Sequence, residues 1–202
     1  MRPSDVSGCV LAGGMSRRMG RDKASLLLGG KTLLEHQVEK LRDLGIEDVL
    51  VSGVIASTPP GTRVIPDIYP DRGPLGGLHA CLRAAQKTCC LVLSVDVPLV
   101  DQETLKELIE AHEGSITLLH HGEADEPLIA VYDCALAPVI EPLIAHGGAP
   151  VRALLELVPV RRISYRGPER LLRNCNTPED FIEVEKTFAE CRSPAAGNRS
   201  LD

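Results

Sequence analysis

The chain has 202 residues, of which 44% are hydrophobic and 25% charged, and its formal net charge is −6. That is enough apolar material for one well-cored domain, and it argues against wholesale disorder. With no tryptophan and only 2% aromatic residues, platforms for stacking bases are scarce, and the acidic balance disfavours a broad polyanion-binding surface, so no nucleic-acid partner is expected.

No apolar run approaches the roughly 18 residues of a membrane span, and MRPSDVSGCV lacks the charged-then-apolar plan of a signal peptide. A cytoplasmic protein with no membrane partner is the expectation. The seven cysteines form an odd set without a C-x-x-C pair, so they read as small, mostly buried hydrophobes rather than disulfides or zinc ligands.

In chain order, Gly8 to Leu11, with Val6 before it, reads as a buried strand ending at Gly13-Gly14. Leu33, Leu34, Val38 and Leu41 recur at helical spacing, and Gly45 supplies a stop, which predicts a helix over 33–44. Asp48 to Ser52 and Thr62 to Pro66 read as short strands, the second delivering Asp67 just past its end. Gly73-Pro74 opens a helix with proline in its first turn.

CCLVLSV, from Cys89 to Val95, is a continuous apolar run typical of a central parallel strand covered on both faces, and it delivers Asp96. Asp101 can cap a helix through Ala111. Ser115 to Leu119 and Leu128 to Tyr132 read as strands, with His120-His121 in a loop. Cys134 to Ala145 and Val151 to Leu157 are helical or partly so, Val158 to Ser164 is a strand, and Pro178 to Glu190 is a last helix opened by Asn176-Thr177.

Strands alternating with helices imply an α/β protein: a doubly wound, mostly parallel sheet with helices on both faces, Rossmann-like in plan. Residues 1–191 are expected to form its single domain, with a frayed tail over 192–202. Ligands of such sheets bind beyond the carboxyl ends of the strands. The glycine pair, Asp67 and Asp96 all fall at such ends.

LAGGMSRRMGRDK, residues 11–23, places Arg17, Arg18, Arg21 and Lys23 after two glycines, with Asp22 as the only nearby carboxylate. Gly13 and Gly14 let the backbone approach a ligand so that N–H groups can bind phosphate oxygens, while Arg18 and Lys23 supply countercharge. A solvated basic turn is the alternative. The spacing fails the dinucleotide fingerprint G-x-G-x-x-G, and GGKT at 29–32 lacks the first glycine of a P-loop, so it reads as a turn starting the Leu33 helix.

Asp96 is the leading acidic candidate, because a carboxylate at the mouth of a buried strand must be paired, hydrogen-bonded or metal-bound. Mg²⁺ takes one or two protein carboxylates and completes its shell with water and phosphates, so one Asp suffices beside a triphosphate. A turn role ahead of Pro98 stays open, and more so for Asp67 and Asp71. Histidines lack metal-site spacing, and no serine nucleophile elbow is present.

LAGGMSRRMGRDK resembles the signature L-A-G-G-x-S-x-R-M-G-x-D-K of nucleotidyltransferases of the glycosyltransferase-A type, matching every fixed position. VIPD ending at Asp67, GPLGGL at 73–78, VDVP at 95–98 and NCNTPED at 174–180 resemble, in order, the later blocks of the molybdenum cofactor guanylyltransferases. VDVP departs from the commoner C-D-x-P or G-D-x-P but keeps the Asp and Pro.

The resemblance implies Mg²⁺-dependent transfer of GMP from GTP to molybdopterin or its molybdenum-loaded form. It implies backbone contacts to the nucleotide from Leu11, Ala12, Gly13 and Gly14, phosphate contacts from Arg18 and Lys23, a nucleotide contact from Asp67, and metal on Asp96. Ser52 stands where relatives with an asparagine place it near the base. Asn174 and Asn176 match the pterin-side positions. Proteins that deliver the pterin, or molybdoenzymes that receive the product, are a further partner class. A transferase using CTP or a sugar phosphate, and a nucleotide-binding cofactor chaperone without turnover, remain the alternatives.

Lys23 matches a fixed signature position and Arg21 does not, so Lys23→Ala is expected to reduce pyrophosphate release far more than Arg21→Ala. Equal losses would mean a diffuse basic surface.

Overall fold

The computed structural model describes residues 1–12, 23–53, 57–145 and 147–192. Gly13, Gly14 and Arg18, together with the tail beyond residue 192, lie outside the described residues.

Nine strands and six α-helices make up the described architecture. In chain order these are β1 (Ser7–Leu11), the hairpin strands β2 (Leu27–Leu28) and β3 (Lys31–Thr32), α1 (Leu33–Asp43), β4 (Val49–Ser52), β5 (Arg63–Ile65), α2 (Gly73–Ala84) and β6 (Cys89–Ser94). They continue with α3 (Gln102–Glu110), β7 (Ile116–His121), β8 (Ala124–Asp133), α4 (Ala137–Ala145), α5 (Arg152–Leu155), β9 (Val160–Ser164) and α6 (Pro178–Arg192).

Seven strands form one sheet in the order β5-β4-β1-β6-β8-β7-β9. β5, β4, β1 and β6 run parallel; β4, β1 and β6 are buried along their whole length, as apolar runs predict for strands covered on both faces, whereas β5 is the edge strand and leaves Val64 exposed. Alternate residues divide between two cores. Val10, Val51, Leu91 and Leu93 pack on one face, and Cys9, Leu50, Cys90 and Val92 on the other. Helices α1, α3 and α6 cover the first face, while α2, α4 and α5 cover the second. The doubly wound plan thus holds.

Two expectations need correction. CCLVLSV is parallel to β1 on one side but antiparallel to β8 on the other. The cause is local: only Gly122-Glu123 separate β7 from β8, and Gly122 adopts φ +60°, so the chain reverses as a hairpin instead of crossing over. For the same reason His120 and His121 lie in β7, not in a loop, and β8 begins at Ala124, ahead of the apolar Leu128. The expected segment over Cys134–Ala145 divides into a 3-10 turn and α4, which keeps Pro142 in its interior while Ile140 and Ile144 bury on the second face.

GGKT is the turn of the β2–β3 hairpin followed by a helix cap. The Glu35 amide donates to Thr32 Oγ1 at 3.1 Å, and the Thr32 amide donates to the Glu35 carboxylate at 2.6 Å. Lys31 is engaged with Glu39 at 2.7 Å. No P-loop geometry arises at this segment. Five of the seven cysteines are buried, Cys134 is half-buried and Cys191 exposed, and all are free.

The amino ends of the parallel strands are tied together by one carboxylate. Asp48 accepts from Ser7 Oγ, from the Gln86 amide at 2.9 Å and from Arg63 Nε and Nη2 at 3.0 and 2.7 Å. Burial alone would raise its pKa, but the hydrogen bonds from Ser7, Gln86 and Arg63 outweigh it and hold the carboxyl below its ordinary value. A carboxyl whose folded pKa is depressed contributes stability above its unfolded pKa of about 3.9 and loses that contribution as pH falls through the folded value.

Asp48→Asn should therefore lower stability at about pH 7 and flatten its decline between about pH 5 and pH 2. Urea unfolding midpoints across that range test this; slopes identical to those of the unsubstituted chain would show that Asp48 is not the titrating anchor.

Candidate functional site

At the opposite, carboxyl end of the sheet, β1 and β6 are joined beyond their last ladder pair. Leu11 accepts a hydrogen bond from the Val95 amide at 3.1 Å, which places Ala12, also buried, beside the turn that carries Asp96. In that turn Ser94 Oγ donates to Asp96 Oδ1.

The other carboxylate oxygen faces a cation. Lys23 Nζ lies 3.2 Å from Asp96 Oδ2 and donates to Asn176 Oδ1 at 2.6 Å. The Lys23 and Asp96 side chains are 17% and 23% exposed. Such a partly desolvated ion pair loses hydration that roughly offsets its attraction, so it adds little to stability. Its consequence is placement: the last residue of the signature, the strand-end carboxylate and the C-terminal asparagine segment meet at one point.

NCNTPED supplies that last contact through a chain of local bonds. The Cys175 amide donates to the Asp96 carbonyl at 2.8 Å, and Cys175 is itself buried. Asp180 accepts from the amides of Asn176 and Thr177 at 3.1 and 2.9 Å, while its own amide donates to Thr177 Oγ1 at 3.1 Å. This is the N-terminal cap of α6, and it fixes the turn that presents Asn176. Asn174 is exposed on the same segment. Ser94, Cys175 and Asp180 are positioning groups that the sequence reading did not single out, although Asp180 carries the ordinary capping spacing from Thr177.

A second wall is built by α2. An ideal Cβ added at Gly77 would fall 2.5 Å from Ser52 Oγ and 3.4 Å from Leu11 Cδ2, so only glycine lets the helix settle on the ends of β1 and β4. Ser52 is buried there. The Cβ of a residue at position 76 would lie 4.0 Å from Asp67 Oδ2, which puts Asp67, just past β5, against the same turn of α2. Leu11 is therefore common to both walls.

Asp67 Oδ1 is buried and has no hydrogen-bond partner among the described residues. Burial first, and then the nearby Asp71, push the Asp67 pKa up. Asp71 itself sits at φ 61°, an uncommon conformation for a residue other than glycine.

Among the described residues no group of three or more His, Cys, Asp or Glu could hold an ion, which excludes an all-protein cage there. A hard cation that keeps waters and takes oxygens from its substrate fits a lone half-buried Asp96 carboxylate. His79 is buried in the packing of α2 against α4, with Nε2 3.3 Å from Glu141 and its ring centroid 5.6 Å from that of Tyr69.

A family model, the MobA-like NTP transferase domain, matches residues 8–164. The chain is 36% identical over 182 residues to the molybdenum cofactor guanylyltransferase of Xanthomonas euvesicatoria pv. vesicatoria, covering 88% of this chain and 93% of that protein. It is 32% identical over 190 residues to the probable molybdenum cofactor guanylyltransferase of Pelotomaculum thermopropionicum, covering 89% and 91%. Its fold matches the crystal structure of molybdopterin-guanine dinucleotide biosynthesis protein A from Archaeoglobus fulgidus with a TM-score of 0.77 and 26% identity, over 92% of this chain and 100% of that one.

The orphaned Asp67 oxygen has a measurable cost. A carboxyl whose folded pKa is raised destabilises the fold once it ionises, so the penalty appears as pH rises through the folded value and persists at neutrality. Asp67→Asn should raise the melting temperature of the ligand-free protein at about pH 7 by roughly 2 °C, and by less at about pH 4. A lower melting temperature at neutral pH would show that the carboxylate is satisfied.

Proposed function

The chain belongs to the MobA-like NTP transferase family and is a nucleotidyltransferase; from that premise we propose that it moves GMP from GTP to the terminal phosphate of molybdopterin or of its molybdenum-loaded form, and that it does so in the cytoplasm. The observation that carries the reading is the meeting of Lys23, Asp96 and Asn176 within hydrogen-bonding distance of one ammonium group. Three segments that the family resemblance assigns to phosphate, metal and pterin thus share one site.

In this reading an acceptor phosphate oxygen attacks the α-phosphorus of GTP, a new P–O bond forms, and the bond to the β-phosphate breaks to release pyrophosphate. The attacking phosphate oxygen is already anionic and the bridging oxygen takes up negative charge as pyrophosphate leaves, so the protein needs no nucleophile of its own; alignment and charge compensation suffice. Asp96 would hold Mg²⁺, which supplies positive charge at the phosphates when bound. Lys23, on the same side of the turn, adds a fixed ammonium, and Arg18 is assigned a similar task by the signature.

Leu11 and Ala12 present backbone at the end of β1, with Gly13 and Gly14 following in the signature. Asp67 and Ser52, on the α2 side, are assigned to the nucleoside. Asn174 and Asn176 are assigned to the pterin side, where the hydrogen bond from Lys23 to Asn176 couples acceptor to phosphates. Residues 1–191 act as one domain in this account. Partner proteins that deliver the pterin or receive the product are consistent with it.

Pyrophosphate release from GTP, ATP, CTP and UTP, with molybdopterin as acceptor and Mg²⁺ present, is the test. GTP is expected to be preferred by about 10-fold or more, and Asp96→Asn to lower turnover by at least about 10²-fold. Preference for CTP would overturn the base assignment. Stabilisation by GTP with no product from the unsubstituted chain would make this a binding protein.

A further inference from the structure

The apolar stripe of α1 contains one polar residue. Leu33, Leu34, Val38 and Leu41 bury against the sheet, and Gln37, at helical spacing with them, is 0% exposed. A primary amide in that setting costs free energy unless its donors and its acceptor are all used. They are. Gln37 Nε2 donates to the Ser94 carbonyl at 2.7 Å and to the Val97 carbonyl at 2.8 Å, and Gln37 Oε1 accepts from Lys40 Nζ at 3.2 Å. Two carbonyl acceptors on one side and the Lys40 Nζ donor on the other fix which end of the amide is nitrogen.

The carbonyls that Gln37 binds bracket Asp96. Lys40, one turn further along α1, also donates to the Pro98 carbonyl, so three backbone acceptors of the turn 94–98 are held by two side chains of one helix. Between its own backbone groups the turn closes only weakly, the Val97 amide standing 3.5 Å from the Ser94 carbonyl; its other ties are the Ser94 hydroxyl on Asp96, the Val95 amide on Leu11 and the Cys175 amide on the Asp96 carbonyl. The helix that grips the turn is the same one that the β2–β3 hairpin links back to Lys23, whose ammonium meets Asp96 from the other side.

We propose that Gln37, backed by Lys40, is a positioning residue for the divalent metal: it sets the place of the Asp96 carboxylate by clamping the carbonyls on either side of it. The inference rests on the assignment of metal to Asp96 made above. Groups that orient a ligating carboxylate through a second layer of hydrogen bonds tune metal affinity without touching the ion. Gln37 reaches Asp96 only through the backbone, so its loss shows as weakened metal binding, while nucleotide binding at saturating metal is spared.

Gln37→Met keeps the length of the side chain and its burial but removes both donors. Binding of Mn²⁺ in the presence of a non-hydrolysable GTP analogue, followed by electron paramagnetic resonance, is expected to weaken by about 10-fold. The Mg²⁺ concentration for half-maximal turnover should rise in parallel, with KM for GTP at saturating Mg²⁺ changed less than about twofold. A merely structural role would lower the melting temperature and leave the Mn²⁺ affinity of the folded protein unchanged, and that result overturns the proposal.

If Gln37→Met fails to fold, Lys40→Met decides: a threefold or greater loss of Mn²⁺ affinity, on the order expected for a more distant contact, supports the clamp, and unchanged affinity overturns it. Asp96→Asn separates the two assignments. Loss of Mn²⁺ binding in Asp96→Asn alongside unchanged binding in Gln37→Met rejects the clamp alone. Unchanged binding in Asp96→Asn rejects the metal assignment and the clamp with it.

Discussion

A carboxylate at the end of a strand buried on both faces cannot stay unaccompanied, and the site is organised around that constraint. β6 delivers Asp96 to the edge of the core, where one oxygen receives the Ser94 hydroxyl and the other receives Lys23. The compensation is provided by short, local partners and one ammonium, and the ammonium is the group with a second bond, to Asn176. Charge balance at Asp96 therefore draws in residues from both ends of the chain, because those ends carry the groups that can satisfy it.

The two ends of the sheet solve the same electrostatic problem differently. At the amino ends both oxygens of Asp48 are engaged, one by Ser7 and the Gln86 amide and the other by Nε and Nη2 of Arg63. At the carboxyl ends Asp67 keeps an oxygen with no partner among the described residues, and its pKa moves in the opposite direction to that of Asp48. A satisfied carboxylate anchors strands. An unsatisfied one, held in place by the fold, is available to a donor that arrives with a ligand, which is the usual relation between stability and function at such sites.

The glycine-rich first turn of α2 gives the second wall its closeness. Because Gly77 has no Cβ, Ser52 and Leu11 can lie directly beneath the helix, and the ends of β1 and β4 are brought against the same surface that borders Asp67. The clamp from α1 acts on the other flank, where Gln37 and Lys40 hold carbonyls of the turn 94–98. The two helices thus approach this end of the sheet by opposite means: α2 settles on the ends of β1 and β4 because Gly77 has no side chain, and α1 holds the turn that carries Asp96 with long polar ones.

The alternation of apolar runs with helical stripes was sufficient to establish the α/β class, the buried parallel strands and the helix boundaries at Thr32, Asp101 and Gly73-Pro74, because those features depend on neighbours within a few residues. The motifs likewise singled out Lys23, Asp96 and Asn176 one by one, as candidates, without showing that they meet. The reversal at Gly122-Glu123 was written in two residues only, and the antiparallel partner it gave to CCLVLSV was invisible in an apolar run that reads alike in either direction. Gln37 showed itself as a polar residue on an apolar stripe, yet nothing nearby in the chain named the carbonyls it would bind. Which groups share the site depended on the strand order, since long-range hydrogen bonds at Asp96 arise only when the sheet has brought β1, β6 and the cap of α6 to one edge.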